Sequence, residues 1–289
     1  MNVKELYNIS FSGGRTSGYM TKLLLDNFSD KYDFVVTFAN TGREHPKTLE
    51  FMHNCDKYFG FNTVWLEAVV HHGERVGCTH KIVTYETACR DGSVFEEVIK
   101  KYGIPNLTFQ PCNREMKLNT MRSYRKSVGA DSALTAIGIR ADERRRINKS
   151  ATDMRIEYPL IDIWPTDKQD VLDWWEDQEF DLGIEEFEGN CLGCFKKSDS
   201  KHFKQIAKDS SVYDWTERME SLYSSVGPQD GDRVFFRHHR STKNLLAEYR
   251  AIGGSVNLSR TDPYADAGCS ESCEFLPTED FDKATGETK

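Results

Sequence analysis

A serine- and glycine-rich turn near the start of the chain has the residue types of an anion-binding site. Its residues are Ser12, Gly13, Gly14, Arg15, Thr16 and Ser17. A short apolar strand precedes the turn, and an amphipathic helix follows it. Backbone N–H groups and the helix dipole favour negative charge at such a helix start, and glycines permit the close approach of phosphate oxygens. A plain strand–helix connection with a Ser or Thr cap is the alternative that this turn alone leaves open.

The cysteines are the second set of residues that could do chemistry. Eight occur, at positions 55, 78, 89, 112, 191, 194, 269 and 273. In a reducing compartment, clustered cysteines point to metal binding or redox chemistry more than to disulfides. Cys191 and Cys194 form a Cys-x-x-Cys pair. Those at positions 55, 78 and 89 have no partner at metal-ligand spacing, and we expect them to be small buried hydrophobes.

Further polar and basic residues follow other predicted strands. Asn40, Thr41 and Gly42 come after one apolar run, and Arg140, Glu143 and Arg146 come after another. A basic helix that begins near Cys112 carries Arg114 and Lys117. Arginines at the carboxyl end of a buried strand suit bidentate capture of phosphate or sulfate, although a solvated, charged helix start would have the same composition.

Strand and helix patterns alternate over much of the chain. Apolar runs predict strands at 7–11, 34–38, 63–67 and 133–139, with an edge strand at 158–163. Helical patterns cover 19–28, 45–59, 93–102, 167–179, 200–225 and 241–251. This alternation predicts an α/β fold with a mainly parallel, twisted sheet flanked by helices, and a smaller helical C-terminal portion. The turns at 12–17 and 40–44 are then expected to face one crevice beyond the strand ends.

Composition indicates a globular chain with an acidic tail. The 289 residues are 38% hydrophobic and carry a net charge of −8. Eight acidic and two basic residues follow Arg260, so the tail accounts for −6 of that charge and the rest of the chain leaves room for basic patches. We see no apolar run of membrane length and no secretory leader, and therefore expect a cytoplasmic protein without a membrane partner.

Four ordered motifs resemble the PP-loop superfamily of N-type ATP pyrophosphatases and phosphoadenosine phosphosulfate reductases. They are the Ser-Gly-Gly-Arg-Thr-Ser turn, the Asn-Thr-Gly segment at 40–42, the Cys-Asn-Arg-Glu-Met-Lys segment at 112–117, and the Gly-Ile-Arg segment with its acidic and arginine residues at 138–146. Together with Gly-Asn-Cys-x-x-Cys-Phe at 189–195, they are most similar to a branch of phosphoadenosine phosphosulfate reductase-like proteins in bacteria and phages. The resemblance implies an adenine nucleotide α-hydrolase-like fold.

The resemblance also implies roles for the cysteines. Iron–sulfur adenylyl-sulfate reductases hold a [4Fe–4S] cluster with a Cys-Cys pair and a distant Cys-x-x-Cys, and Cys112, Cys191 and Cys194 match three of those ligands. Asn113 replaces the fourth, so we expect Cys273 to supply it and to tether the acidic tail, which leaves Cys269 as a candidate nucleophile. Zinc on the same thiolates and metal-free redox thiols are the alternatives.

The chain departs from the family pattern at three places. Thr16 stands where ATP pyrophosphatases usually carry a magnesium-binding Asp, which leaves a role for Mg²⁺ uncertain. Asn40 replaces the Asp of the Asp-Thr-Gly segment. The Glu-Cys-Gly-x-His tail of true sulfonucleotide reductases is missing, and Cys269 and Cys273 stand in the tail instead.

These features suggest three functions. The first is an iron–sulfur enzyme of sulfur chemistry, an oxidoreductase that acts on a sulfonucleotide and draws electrons from a thiol or a ferredoxin-type donor. The second is an ATP-dependent sulfurtransferase that thiolates a nucleic acid or nucleobase. The third is a nucleotide-sensing or host-interaction protein with a degenerate site. We divide the chain into a nucleotide-binding domain at 1–180, a Cys-x-x-Cys and helical portion at 181–260, and the tail at 261–289.

Overall fold

A computed structural model describes residues 4–73, 76–189, 191–227 and 231–253. Six strands form one sheet in the order β4-β3-β2-β1-β5-β6, and every neighbouring pair is parallel except β3 and β4. The strands are β1 (Glu5–Ser10), β2 (Tyr32–Asn40), β3 (Val64–Val69), β4 (Thr79–Val83), β5 (Leu134–Ile137) and β6 (Ile156–Glu157). The predicted α/β fold, a mainly parallel sheet flanked by helices, is confirmed.

Helices connect the parallel strands and continue beyond them. They are α1 (Arg15–Phe28), α2 (Pro46–Phe59), α3 (Ser93–Tyr102), α4 (Thr120–Ser127), α5 (Pro159–Asp162), α6 (Lys168–Glu176), α7 (Asp199–Lys208), α8 (Asp214–Tyr223) and α9 (Thr242–Ala251). A π-helical segment, Cys112–Asn119, leads directly into α4. Such segments are rare and frequently lie at functional sites, so its start at Cys112 draws attention to that residue. In the described ranges, no helix has the length and apolarity needed to span a membrane.

The structure differs from the sequence prediction at both edges of the sheet. Residues 158–163 are not the edge strand, because Pro159 starts the short helix α5; its fixed φ suits a first helical position. The parallel edge is instead the two-residue β6. At the other edge, the antiparallel β4 was not predicted, since its exposed, polar sequence lacks the apolar alternation of a half-buried strand.

The strand order creates a switch point between β1 and β5. From β1 the chain proceeds through β2 and β3 on one side, and it returns to place β5 and β6 on the other. In open α/β sheets, ligands bind in the crevice outside the carboxyl ends of the strands at this reversal. The Ser12–Ser17 turn follows β1, and Arg140 follows β5 closely, so both lie at the crevice where such a ligand is expected.

The C-terminal helices pack on the sheet domain's own helices. One buried cluster joins Val98 and Ile99 of α3 and Met116 of the π-helical segment to Met219 of α8 and Leu245 of α9. The segment at 200–251 thus shares its core with earlier elements. The domain limits at residues 180 and 260 stay a prediction, and residues 261–289 lie outside the described part of the chain.

Gly18 allows α1 to pack against α6. A Cβ atom built on Gly18 would lie 2.9 Å from the ring of Trp175, a side chain that is 1% exposed. We therefore expect Gly18→Ala to lower the free energy of unfolding by about 1–3 kcal/mol through overpacking, although alanine favours a helix. Urea unfolding measures this change. Asn27→Ala, at an exposed position of the same helix, is the control, and equal stability of both variants would contradict the prediction.

Candidate functional site: a nucleotide crevice beside a cysteine pocket

The Ser12–Ser17 turn is closed by the hydroxyl of Ser17. Its Oγ donates to the Gly14 carbonyl at 3.0 Å and accepts from the backbone N–H of Ser12 at 3.2 Å and from the Ser12 hydroxyl at 2.8 Å. Gly13 has φ +81°, and a Cβ there would meet Thr48 at 2.8 Å, so only glycine fits. Within the described residues, α1 has no side-chain cap at Gly14. Its first N–H groups are thus oriented for an anion.

Arg15 ties this turn to a later segment of the chain. Its guanidinium makes a bidentate pair with Asp181, at 2.6 Å and 2.5 Å, and its backbone carbonyl accepts from the indole N–H of Trp175 at 2.9 Å. Burial would raise the pKa of Asp181, but hydrogen bonds from Arg15 and from nearby backbone N–H groups hold it below its ordinary value. Arg15 therefore has a clear structural contact, and its predicted contact with phosphate remains a prediction.

Thr16 faces an arginine. Nη1 of Arg140 donates to the Thr16 hydroxyl at 3.1 Å, and both residues are buried. Arg140 also donates to Asp142 at 2.9 Å and lies 3.4 Å from Glu143. Gly138 at the end of β5 approaches Ser17 so closely that a Cβ would be 3.0 Å from the Ser17 Cα atom. The turn after β1 and the segment after β5 therefore lie in direct contact, with the Arg140 guanidinium beside Thr16.

The side chain of Asn40 makes hydrogen bonds to other groups in the protein interior. It is fully buried, and its amide group donates to Glu67 at 2.7 Å and to the Cys89 carbonyl at 2.9 Å, while its Oδ1 accepts from the Gly42 N–H at 3.1 Å. Glu67, which is 1% exposed, also pairs with Lys81 at 2.9 Å. An aspartate at position 40 would face the Glu67 carboxylate, which gives a physical reason for Asn in place of the family's Asp.

The turn after β2 holds the Cys-x-x-Cys loop. The Leu192 N–H donates to the Arg43 carbonyl at 2.6 Å, and Glu44 and Cys191 form an antiparallel bridge. Thr41 Oγ1 lies 3.3 Å from the Cys191 Sγ and donates to Glu44 at 2.7 Å. Thr41, predicted to bind nucleotide, thus contacts both the turn after β2 and the first cysteine of the pair.

Three cysteines from two distant parts of the chain line one pocket. Cys112, Cys191 and Cys194 surround it, together with Thr41 and Lys117. Phe95, Trp215 and Phe235 supply much of its remaining, apolar wall. The described residues contain no group of three His, Cys, Asp or Glu side chains already arranged to hold a metal ion. Cys269 and Cys273 lie outside the described ranges, so the predicted fourth ligand and nucleophile cannot be placed.

The remaining predicted site residues separate into two groups. Lys117 lines the cysteine pocket, whereas Arg114 donates to Glu115 at 2.7 Å and lies 5.6 Å from the ring of Tyr102. Arg146 donates to Glu143 at 2.7 Å, beside the crevice. Arg114 and Lys117 thus have different neighbours, and their contact with a nucleotide stays a prediction.

A second, larger cleft lies on the other side of Leu192, which lines both spaces. It has a volume of about 710 Å³, and its walls include His45, Glu188, Gln205 and Lys208. Burial lowers the pKa of His45, against the opposing effect of the Glu188 carboxylate. Lys208 pairs with Glu188 at 2.9 Å. This cleft places polar side chains and open volume next to Leu192 of the Cys-x-x-Cys loop.

Comparison with known proteins identifies the family. A model of the phosphoadenosine phosphosulfate reductase domain matches residues 7–176. The chain belongs to this family, within the PP-loop superfamily. It is 30% identical to the uncharacterized nin region protein ORF290 of Escherichia phage lambda, over 95% of this chain and 97% of that protein. An uncharacterized protein of Methanocaldococcus jannaschii is 25% identical to this chain. The match covers 49% of this chain and 24% of that protein. The matched domain includes the whole crevice and Cys112, but not Cys191 or Cys194.

Sequence reasoning missed several residues of this site. Arg43, Glu67 and Asp181 support it through contacts with residues far away in the chain, and no local pattern marks such partners. Lys197 is a different case, since it lies only three residues after Cys194. The sequence shows two lysines directly after Cys-x-x-Cys-Phe, but no local pattern indicates that Lys197 is buried.

The Asn40–Glu67 contact generates a prediction. Asn40→Asp places two buried carboxylates against each other, so one of them takes a raised pKa in the folded state. The variant should be less stable than the parent by about 2–4 kcal/mol at pH 8. This difference should shrink as the pH falls below about 7, where the folded pair gains a proton, and it should be largely gone below about pH 4. Denaturant unfolding at several pH values measures it. Adding Glu67→Gln should restore stability, and a pH-independent loss would contradict the prediction.

Proposed function

We propose that this protein is an adenine-nucleotide-binding enzyme of sulfur chemistry that resembles the phosphoadenosine phosphosulfate and adenylyl-sulfate reductases. The observation that carries the proposal is that Cys112, Cys191 and Cys194 line one pocket. Cys112 and Cys191 are 79 residues apart along the chain. That pocket adjoins the turn after β2, which lies beside the crevice where we expect the nucleotide to bind. A reaction between a bound sulfonucleotide and an enzyme thiol needs a nucleotide site and a cysteine centre close to each other.

Nucleotide binding is assigned to the switch-point crevice. The first N–H groups of α1 and the Ser12 hydroxyl would bind phosphate or sulfate oxygens. Arg140 lies buried at the opposite wall, 3.1 Å from Thr16. Its charge would favour the anionic end of a sulfonucleotide. Because Thr16 is a hydroxyl paired with a cation, the crevice lacks a carboxylate at the position that holds Mg²⁺ in ATP pyrophosphatases, and this favours a sulfonucleotide over ATP cleavage.

The pocket's donor set fits a soft-metal centre. Thiolates are the ligands of [4Fe–4S] clusters and of structural zinc, and three of the four required lie around one space. We assign Cys112, Cys191 and Cys194 as ligands, with Cys273 as the fourth. A bound [4Fe–4S] cluster would supply a fixed charge distribution beside the reacting sulfonucleotide. Thr41, 3.3 Å from the Cys191 Sγ, would orient that ligand.

The proposed reaction needs a nucleophilic thiolate and a reductant. The thiolate, for which Cys269 is the candidate, attacks the sulfur of the sulfonucleotide; the S–O bond to the phosphate breaks, and the nucleotide leaves. The enzyme then carries a thiosulfonate. A thiol reductant attacks the cysteine sulfur, sulfite departs with the S–S bonding pair, and a disulfide forms. A second thiol of the reductant resolves that disulfide and regenerates the enzyme thiol.

Metal content tests the ligand assignment. Anaerobically purified protein should hold iron and sulfide and absorb near ~400 nm. Cys112→Ser, Cys191→Ser and Cys194→Ser should each lose most of that absorbance, because each removes a thiolate. Cys273→Ser should lose it and Cys269→Ser should keep it. Cys55→Ser is the matched control, since Cys55 is fully buried in the sheet core. Full absorbance in any of the four ligand variants would remove that residue from the proposed set.

Product analysis tests the reaction. Incubation with adenylyl sulfate or phosphoadenosine phosphosulfate and a thiol should release sulfite and the corresponding nucleotide, whereas incubation with ATP should release neither AMP nor pyrophosphate. AMP or pyrophosphate from ATP would instead indicate thiolation of a nucleic acid or nucleobase. Tight nucleotide binding without turnover would indicate a sensing or host-interaction role. Cys269→Ser should abolish sulfite release while keeping the chromophore, which separates the nucleophile from the ligands.

A further inference from the structure

The larger cleft beside Leu192 has the size and the composition of a small-molecule site. Its volume of about 710 Å³ lies within the range of ligand pockets. The start of α2 and the segment at 183–188 form one wall, and the end of α7 forms another. The ion pair between Glu188 and Lys208, at 2.9 Å, joins these two walls. The cleft is separate from the cysteine pocket, with which it shares Leu192.

The Gln205 side chain contributes a hydrogen-bond acceptor to this cleft. The residue lines the cleft and is 3% exposed, and its Oε1 has no hydrogen-bond donor among the described residues. A buried acceptor without a donor is destabilising, and the large majority of buried polar groups in native proteins are paired. A ligand with an N–H group would supply the missing donor.

Lys47 offers a positive charge at the start of α2. The residue is exposed, and its Nζ donates to the Gly183 carbonyl at 2.8 Å. In the ranges that the structure describes, no carboxylate lies within ion-pair distance of this Nζ. Because an ammonium group has three donors, Lys47 can bind an anionic group while it keeps its bond to Gly183. A ligand carboxylate suits this position.

Asp209 offers the opposite charge at the end of α7. Its Oδ1 accepts from the Ser211 N–H at 3.0 Å and from the Ser211 hydroxyl at 2.7 Å. The residue is exposed, and within the described part of the chain no cation pairs with its carboxylate. The neighbouring Lys208 pairs with Glu188 instead. A ligand ammonium group therefore suits this second position.

We propose that this cleft binds a free di- or tripeptide in its zwitterionic form. The peptide carboxylate pairs with Lys47, the ammonium group pairs with Asp209, and a peptide N–H donates to the Oε1 of Gln205. Leu192 and Val212 offer apolar contacts to the peptide side chains. Unpaired charges of both signs favour a zwitterion over an anionic nucleotide, and a single amino acid would fill only a small part of about 710 Å³. The inference goes beyond the proposed function and requires neither a metal nor the nucleotide.

Isothermal titration calorimetry tests the site in the full chain, with the tripeptide Gly-Leu-Gly as the probe. We expect saturable binding with a Kd of about 1 mM or tighter. Lys47→Met should weaken this binding about tenfold, because it removes the charge that faces the peptide carboxylate. The same substitution should not change the weaker binding of the Gly-Leu-Gly amide, which has no carboxylate. Lys204→Met, at an exposed position of α7, is the matched control and should keep the parent's affinity.

Asp209→Asn tests the other end of the peptide. Asparagine keeps an oxygen that can accept from Ser211, so the fold should be preserved while the charge is lost. This variant should weaken binding of Gly-Leu-Gly about tenfold and should not change the binding of N-acetyl-Gly-Leu-Gly, which has no ammonium group. Absence of saturable binding to the parent, or equal affinity of the parent and Lys47→Met, would overturn the proposal. Leucine that binds as tightly as Gly-Leu-Gly would overturn the assignment to a peptide.

Gln205→Met gives a second measurement, since it removes the acceptor with little change in side-chain volume. The variant should bind Gly-Leu-Gly more weakly than the parent, and its melting temperature should equal or exceed that of the parent, because the Oε1 has no donor in the described chain. A lower melting temperature would show that the protein itself satisfies this amide, and would overturn the role of Gln205. Iron and sulfide content reports on the proposed function separately, so each proposal can fail without the other.

Discussion

The docking of the Cys191–Cys194 loop on the turn after β2 is the contact on which the rest of the site depends. One backbone hydrogen bond, from Leu192 to the Arg43 carbonyl, and one bridge between Glu44 and Cys191 hold the loop there. Phe195, the residue after Cys194, is 3% exposed and packs in the cluster that contains Ala68 of β3, which holds the loop on the same side. With these contacts, Cys191 comes within 3.3 Å of Thr41, and the pocket lined by Cys112 is completed. Backbone contacts of this kind are specific in position but tolerant of side-chain change.

The parallel sheet explains why the crevice at the switch point and the cysteine pocket are neighbours. The carboxyl ends of β1, β2 and β5 lie at one edge, because neighbouring parallel strands end on the same side. The turn after β1 and the segment after β5 form the crevice, and the turn after β2 carries the cysteine loop. The close approach of Gly138 to Ser17 keeps the crevice narrow.

Charge is distributed differently at the two halves of the site. Around the crevice, the arginines have acidic partners: Arg15 with Asp181, Arg140 with Asp142, and Arg146 with Glu143. Around the cysteine loop, Lys197 is buried and donates to the Phe187 carbonyl. Ion pairs hold the arginines of the crevice in place, whereas the buried ammonium of Lys197 is held by a neutral carbonyl.

The sequence by itself determined the sheet's parallel character, the strand–turn–helix unit around residues 12–17 and the three cysteines of interest, because each depends on local periodicity or on residue types at short spacing. It also located α3 to the residue. It failed at residues 158–163, where Pro159 favoured a helix start, and at β4, whose pairing with β3 supplies what its polar sequence lacks. Only the tertiary structure decided that Asn40 bonds Glu67, that Arg15 bonds Asp181, and that Lys197 is buried. These are contacts between residues brought together by folding, and their energies depend on burial and on partners that no short window of sequence contains.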